Sequence, residues 1–146
     1  MIHRILIVCV GNICRSPMAE VMLREYLGGD DSVIAVESAG LAALTGNPID
    51  PLAERVLADH GLTGKGHLAR QVTEEMISKA DLVLAMQRRH LGAIHAIAPQ
   101  ARGKSFLVGK WEGDGEVPDP YGKTRPVFED AYGQLDRMLH AWRMHL

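Results

Sequence analysis

The chain has 146 residues, enough for one domain with a sizeable core, and its 47% apolar and 23% charged residues describe an ordinary globular composition. A formal net charge of −2 with no basic run argues against nucleic acid as the main partner. No stretch approaches the roughly 18 to 20 apolar residues of a membrane span, and Met1-Ile2-His3-Arg4-Ile5 lacks the apolar region and cleavage site of a signal peptide, so the expected location is the cytoplasm without membrane insertion.

Residues 2–8 read as a buried strand, because Ile5-Leu6-Ile7-Val8 is continuously apolar. The strand delivers Cys9 to a short polar loop, Val10-Gly-Asn-Ile-Cys14, that ends at Arg15-Ser16-Pro17. Ser16 is expected to cap the following helix, with Pro17 in its first turn and Glu20 near its positive end. Ala19, Met22, Leu23, Tyr26 and Leu27 share one face of that helix, and Gly28-Gly29 stops it. Residues 33–37 read as a second strand, with Ser38-Ala39-Gly40 turning away from it. A helix over 50–60 follows, stopped by Gly61. Residues 62–72 connect to a short helix opened by Thr73, with Glu74 and Glu75 in its first turn. Residues 81–86 form the third strand, and a helix over 88–98 stops before Pro99. A short fourth strand covers 104–108, a long loop 109–123, and a final helix 125–145 with Val127, Phe128, Ala131, Leu135, Met138, Leu139 and Trp142 in its core stripe. Arg24, Arg88 and Arg89 read as solvated helix faces. The alternation implies a single α/β domain over 1–146. Its expected sheet is four-stranded and parallel with helices on both faces, and an anion-binding loop follows strand one. Ligands of such sheets bind beyond the carboxyl ends of the strands, where the Cys9 loop lies.

The chemistry concentrates in that loop. Its N–H groups and the first turn of the helix point at one spot, and the helix dipole favours negative charge there. A cysteine at the base of such a cradle is favoured as a thiolate nucleophile, and an arginine at the rim offers a planar fork to two phosphate oxygens. Five residues separate Cys9 from Arg15, and a pattern this short also arises by chance. The strand before it and the Ser-Pro helix start after it give the functional reading its weight. A displacement at phosphorus needs an acid for the leaving oxygen. Asp119, held between Pro118 and Pro120, is preferred over Asp114, whose glycine neighbours leave it mobile.

Four motifs in order, Cys9-Val-Gly-Asn-Ile-Cys-Arg-Ser-Pro17, Ser38-Ala-Gly40, His67-Leu-Ala-Arg70 and Asp119-Pro-Tyr121, resemble those of the low-molecular-weight protein tyrosine phosphatases over essentially the whole chain. Ser38-Ala-Gly-Leu-Ala-Ala-Leu44 and Gly109-Lys-Trp111 are similar to the bacterial members associated with tyrosine kinases of capsule and exopolysaccharide systems. The resemblance implies that Cys9 attacks phosphotyrosine to form a cysteinyl-phosphate. Arg15 and the amides of Val10, Gly11, Asn12, Ile13 and Cys14 bind the phosphate oxygens, and Ser16 supports the Cys9 sulfur. Asp119 serves as acid, then base. No metal or cofactor is required. Tyr121 is implied as an aromatic wall beside the substrate ring, and Ser38 and His67 as tethers of Asn12, which shapes the loop. Leu44 stands where many members carry Trp or Tyr, and Gln87 where relatives often carry Asp or Glu, so substrate preference and any role of that carboxylate are open at these positions. Cys14 reads either as a loop-packing residue or as the partner of a reversible disulfide with Cys9 that shields the nucleophile. The implied substrate is a phosphotyrosine protein, a bacterial tyrosine autokinase of polysaccharide export being the favoured partner.

Two other classes are open to test. An arsenate reductase-like redox enzyme shares this kind of loop, but no cysteine occurs after Cys14 to resolve its adduct. A non-catalytic phosphotyrosine-binding module needs Arg15 but neither Cys9 nor Asp119. A P-loop nucleotide binder is excluded, because no Gly-Lys-[Ser/Thr] follows the loop.

Overall fold

The apolar run near the N-terminus becomes the central strand. In the computed structural model, which describes residues 1–146, β1 (Arg4–Cys9) lies between β2 (Ala35–Gly40) and β3 (Leu82–Ala85), and β4 (Ser105–Leu107) flanks β3. All pairings are parallel, in the order β2-β1-β3-β4. Burial on both faces explains why β1 shows no polar alternation. Ile5 and Ile7 pack with Met18, Met22 and Leu23 of α1 (Arg15–Tyr26), and with Phe128, Leu135 and Leu139 of α5 (Arg125–Arg143). Leu6 and Val8 face the other way. They meet Ile77 of α3 (Glu74–Lys79) and Ile94 of α4 (Arg88–Ile97). α2 (Pro51–Asp59) joins the first layer through Ala53, Val56 and Leu57. No helix is long and apolar enough to cross a membrane.

The strand order fixes where a ligand can sit. From β1 the chain passes through α1 to β2 on one side, then crosses to β3 on the other. The carboxyl ends of β1 and β3 therefore diverge into a crevice, the topological switch point of an open parallel sheet. The Cys9 loop leaves β1 there, Gln87 follows β3 there, and the segment after β4 returns across it.

The expected elements are present, with three informative shifts. β2 runs to Gly40 instead of stopping at residue 37, pairing Ser38 with Ile7, Ala39 with Val8 and Gly40 with Cys9. Pairing with β1 overrides the local turn character of Ser-Ala-Gly. Glycine is needed at its end, because a Cβ at residue 40 would stand 2.4 Å from the Val10 carbonyl oxygen. α1 begins at Arg15 with Cys14 in the capping position and no side-chain cap, so Ser16 lies inside the helix and does not cap it. Residues 109–115 form a folded turn closed by a Gly109–Gly115 bridge. Thr73 does cap α3, accepting from Met76 N–H.

Phe128 is fully buried where α5 meets the sheet. Phe128→Ala is expected to cost about 3 to 5 kcal/mol of stability, measured by urea unfolding at neutral pH.

Candidate active site

The loop after β1 is wired so that its carbonyls face outward. Cys9, Val10 and Gly11 C=O accept from the N–H groups of Leu41, Ala42 and Leu44. Asn12 C=O is 2.7 Å from His67 Nε2, Ile13 C=O accepts from Asp50 N–H, and Cys14 C=O from Met18 N–H. A carbonyl only accepts, so His67 carries its proton on Nε2. The amides of residues 10–14 have no acceptor within the protein. Six carbonyls engaged behind the loop and five free amides in front of it make a concave nest for an anion.

Asn12 holds that shape. Its φ of 58° is the left-handed conformation that Asn tolerates well. Its side chain is fully buried and saturated: Oδ1 accepts from Arg70 N–H at 3.0 Å, while Nδ2 donates to Ser16 Oγ at 2.8 Å and Ser38 Oγ at 3.0 Å. Ser38 passes its own proton to Glu20 Oε1 at 2.6 Å. These bonds give the chain a direction. Ser16 Oγ receives a hydrogen from Asn12, so its own proton is free for Cys9 Sγ, 2.9 Å away. A hydrogen bond donated to sulfur favours the thiolate.

Arg15 is 1% exposed, an unusual burial for a guanidinium. Nη1 donates to Gln87 Oε1 at 2.9 Å and to Val117 C=O at 2.8 Å. Nη2 lies 3.7 Å from Asp119 Oδ2. Asp119 is half-exposed at the mouth and its Oδ1 accepts from Tyr121 N–H at 3.0 Å. Cys9 and Arg15 form the floor of a cavity of about 190 Å³, with Asp119 on its rim. Its walls are apolar, drawn from Val10, Gly11, Ile13 and Cys14 of the loop and from Ala42, Leu44 and Tyr121. Leu44 and Tyr121 are themselves exposed and stand at the entrance. Burial, reinforced by the charges of Asp50 and Asp119, pushes the Cys14 thiol far above its ordinary range. No cluster of three or more His, Cys, Asp or Glu side chains is arranged to hold a metal ion.

Residues 4–146 match the family model described as low molecular weight phosphotyrosine protein phosphatase. The chain belongs to the low-molecular-weight phosphotyrosine protein phosphatase family. It is 45% identical over 144 residues to the low molecular weight protein-tyrosine-phosphatase Etp of Escherichia coli K12, covering 99% of this chain and 95% of Etp. Among solved structures, it is similar to Vibrio vulnificus Wzb in complex with benzylphosphonate, with a TM-score of 0.95, 39% identity and full coverage of both chains. The tyrosine phosphatase AmsI of Erwinia amylovora superposes with a TM-score of 0.94 at 39% identity, over 100% of this chain and 94% of AmsI. The chain is thus a protein-tyrosine-phosphatase of the low-molecular-weight class.

All the predicted site residues of this phosphatase converge: Cys9 through Ser16 in the loop, Leu44, Asp119 and Tyr121 around the cavity, and Ser38 and His67 behind Asn12. Sequence reasoning placed Glu20 near the helix start but missed that it ends the Ser38 chain, and it left Gln87 without a role. Its spacing alone, one helical turn after Ser16, pointed to Glu20. Arg24 is not simply solvated: it bonds Glu20 and the Val36 carbonyl. His90, 2% exposed in the first turn of α4, was also missed. Burial, with Arg15 and Arg89 adding like charge, pushes its imidazole down to about 4.

Two outcomes are expected. Asn12→Ala removes three side-chain bonds and a residue suited to positive φ. It should lower kcat on p-nitrophenyl phosphate by about 10- to 100-fold and stability by about 2 kcal/mol, as read by steady-state kinetics and urea unfolding. The folded state keeps His90 neutral, so the unfolded chain binds the extra proton between about pH 6.5 and 4. Stability from this group is present above that window and is lost as pH falls through it, by up to about 3 kcal/mol. His90→Asn should flatten that part of the stability-against-pH curve relative to the parent chain.

Proposed function

We propose that this phosphatase hydrolyses phosphotyrosine in proteins by two displacements at phosphorus. Cys9 Sγ attacks the phosphorus and the bond to the tyrosine oxygen breaks, while Asp119 gives that oxygen its proton. Asp119, now a carboxylate, takes a proton from a water whose oxygen attacks the cysteinyl-phosphate. The P–S bond breaks and the Cys9 thiolate returns. Arg15 and the amides of residues 10–15 bind the equatorial oxygens, whose charge they meet without reorganising. Gln87 and Val117 hold the Arg15 fork, while Ser16 supports the sulfur as a thiolate and as leaving group. The observation that carries this reading is the nest itself: five unpaired amides surround Cys9, with a buried arginine beneath the same cavity.

The apolar walls, from Ile13 to Tyr121, suit a flat ring above the phosphate. The solved Wzb relative holding benzylphosphonate, an aromatic phosphonate, supports the same substrate class. With Leu44 in place of an aromatic wall, the ring stacks on Tyr121 alone. We assign as partner a tyrosine autokinase of bacterial polysaccharide export, acting in the cytoplasm, supported by similarity to Wzb and AmsI along the whole chain.

Hydrolysis of p-nitrophenyl phosphate in EDTA tests the mechanism. Turnover by the parent chain should vanish in Cys9→Ser and fall about 10²- to 10⁴-fold in Asp119→Ala. Arg15→Lys should fall at least about 10²-fold, because a point charge cannot reproduce the bidentate fork. A folded parent chain that binds phosphotyrosine without turnover would instead indicate a binding module.

A further inference from the structure

The segment that carries Asp119 is fastened at a point outside the active site. Gln87 occupies the capping position of α4, but its side chain is committed to Arg15 and leaves the helix without a cap of its own. The first amide of the helix, Arg88 N–H, donates instead to Glu116 Oε2 at 2.6 Å, from 28 residues further along the chain. The Arg88 guanidinium stands 3.9 Å from the same oxygen and donates to Asp114 C=O at 2.9 Å. A carboxylate at a helix N-terminus is held both by the free amide and by the positive end of the dipole.

The next residue is pinned as well. Val117 N–H donates to Met86 C=O at 3.0 Å, and Val117 C=O receives Arg15 Nη1. Pro118 and Pro120 then restrict the backbone on either side of Asp119, and Pro120 is buried. Asp119 has little of its own to hold it: one bond from Tyr121 N–H and Arg15 at 3.7 Å. Its location is inherited from residues 116 and 117 through a stiff connection. Moving Glu116 off α4 therefore moves the acid.

We infer that Glu116 is a positioning residue for the general acid, fixing the Asp119 segment against the N-terminus of α4; this rests on the reading of Asp119 as the acid. Arg88 takes part as the amide donor, and not as the free cation expected of a solvated helix face.

A leaving-group comparison tests the inference. Phenyl phosphate needs a proton on its departing oxygen, whereas 2,4-dinitrophenyl phosphate departs as a stable anion. A displaced acid therefore lowers kcat/KM for the first and spares the second. Glu116→Ala is expected to lower kcat/KM for phenyl phosphate roughly 10- to 100-fold, with the dinitrophenyl ester little changed. Glu116→Gln keeps an acceptor and should recover most of the loss. Glu116→Asp keeps the charge, opens no large cavity and draws the carboxylate back by one methylene. It should show the same selective loss, so the test does not depend on the alanine variant folding. Asp119→Asn is the reference for complete loss of the acid. If it discriminates between the two esters while the Glu116 variants lower both equally, or neither, Glu116 is merely structural and the inference is overturned. If Asp119→Asn itself fails to discriminate, the acid assignment falls and takes this inference with it.

Discussion

The direction of the loop carbonyls between Cys9 and Cys14 is the constraint on which the rest of the site depends. Each peptide unit has a donor and an acceptor on opposite sides, so turning six carbonyls outward turns the amides inward. The outward bonds come from four separate parts of the chain: residues 41–44, Asp50, His67 and Met18 in α1. β2 must therefore run on to Gly40 in register with β1, since that pairing brings residues 41–44 under the loop. The close approach of Gly40 to Val10 is part of the same arrangement. The parallel sheet supplies the crevice, and the return of β2 into the loop segment supplies the acceptors' partners.

Inside this frame the polar side chains settle proton positions that the backbone leaves open. Asn12 is bonded at every side-chain hydrogen and at its oxygen, which fixes the amide orientation and sends the Ser16 proton toward Cys9. Thiolate supply is a small part of the rate. A free cysteine is already a few per cent ionised at neutral pH, so complete ionisation gains roughly 30-fold. Donors placed on transition-state oxygens contribute about 10²- to 10³-fold each. The burial of Arg15, with its Nη1 bonded to Gln87 and Val117, is accordingly the more consequential feature. A neutral amide at residue 87 orients the fork without cancelling its charge.

Much of the site's geometry was legible in the sequence, because the nest, Cys9 and Arg15 are local. A strand, a loop and a helix start lie within one short stretch, and Asp119 is marked by its two prolines. What was not legible depends on partners brought together by the fold. Ser16 looks like a helix cap from its neighbours alone, yet its hydroxyl turns to Cys9 and Asn12. Ser38-Ala39-Gly40 has the composition of a turn, but pairing with β1 extends it as strand. Gln87 acquires a role only because Arg15, 72 residues earlier, reaches it. His90 lies on the buried side of an otherwise polar helix start, where no local pattern distinguishes it from its exposed arginine neighbours. The Leu44 departure was readable, and the structure puts that residue at the cavity entrance.

The proposed two-step mechanism requires that Cys9 become covalently phosphorylated. It is tested most directly by mixing the protein with a phosphotyrosine peptide, quenching in acid within milliseconds, and locating phosphate on the protein by peptide mass spectrometry. A transient phosphoryl group is expected on Cys9 alone, absent from Cys9→Ser. Turnover with no phosphate on Cys9, or with phosphate on another side chain, would contradict it.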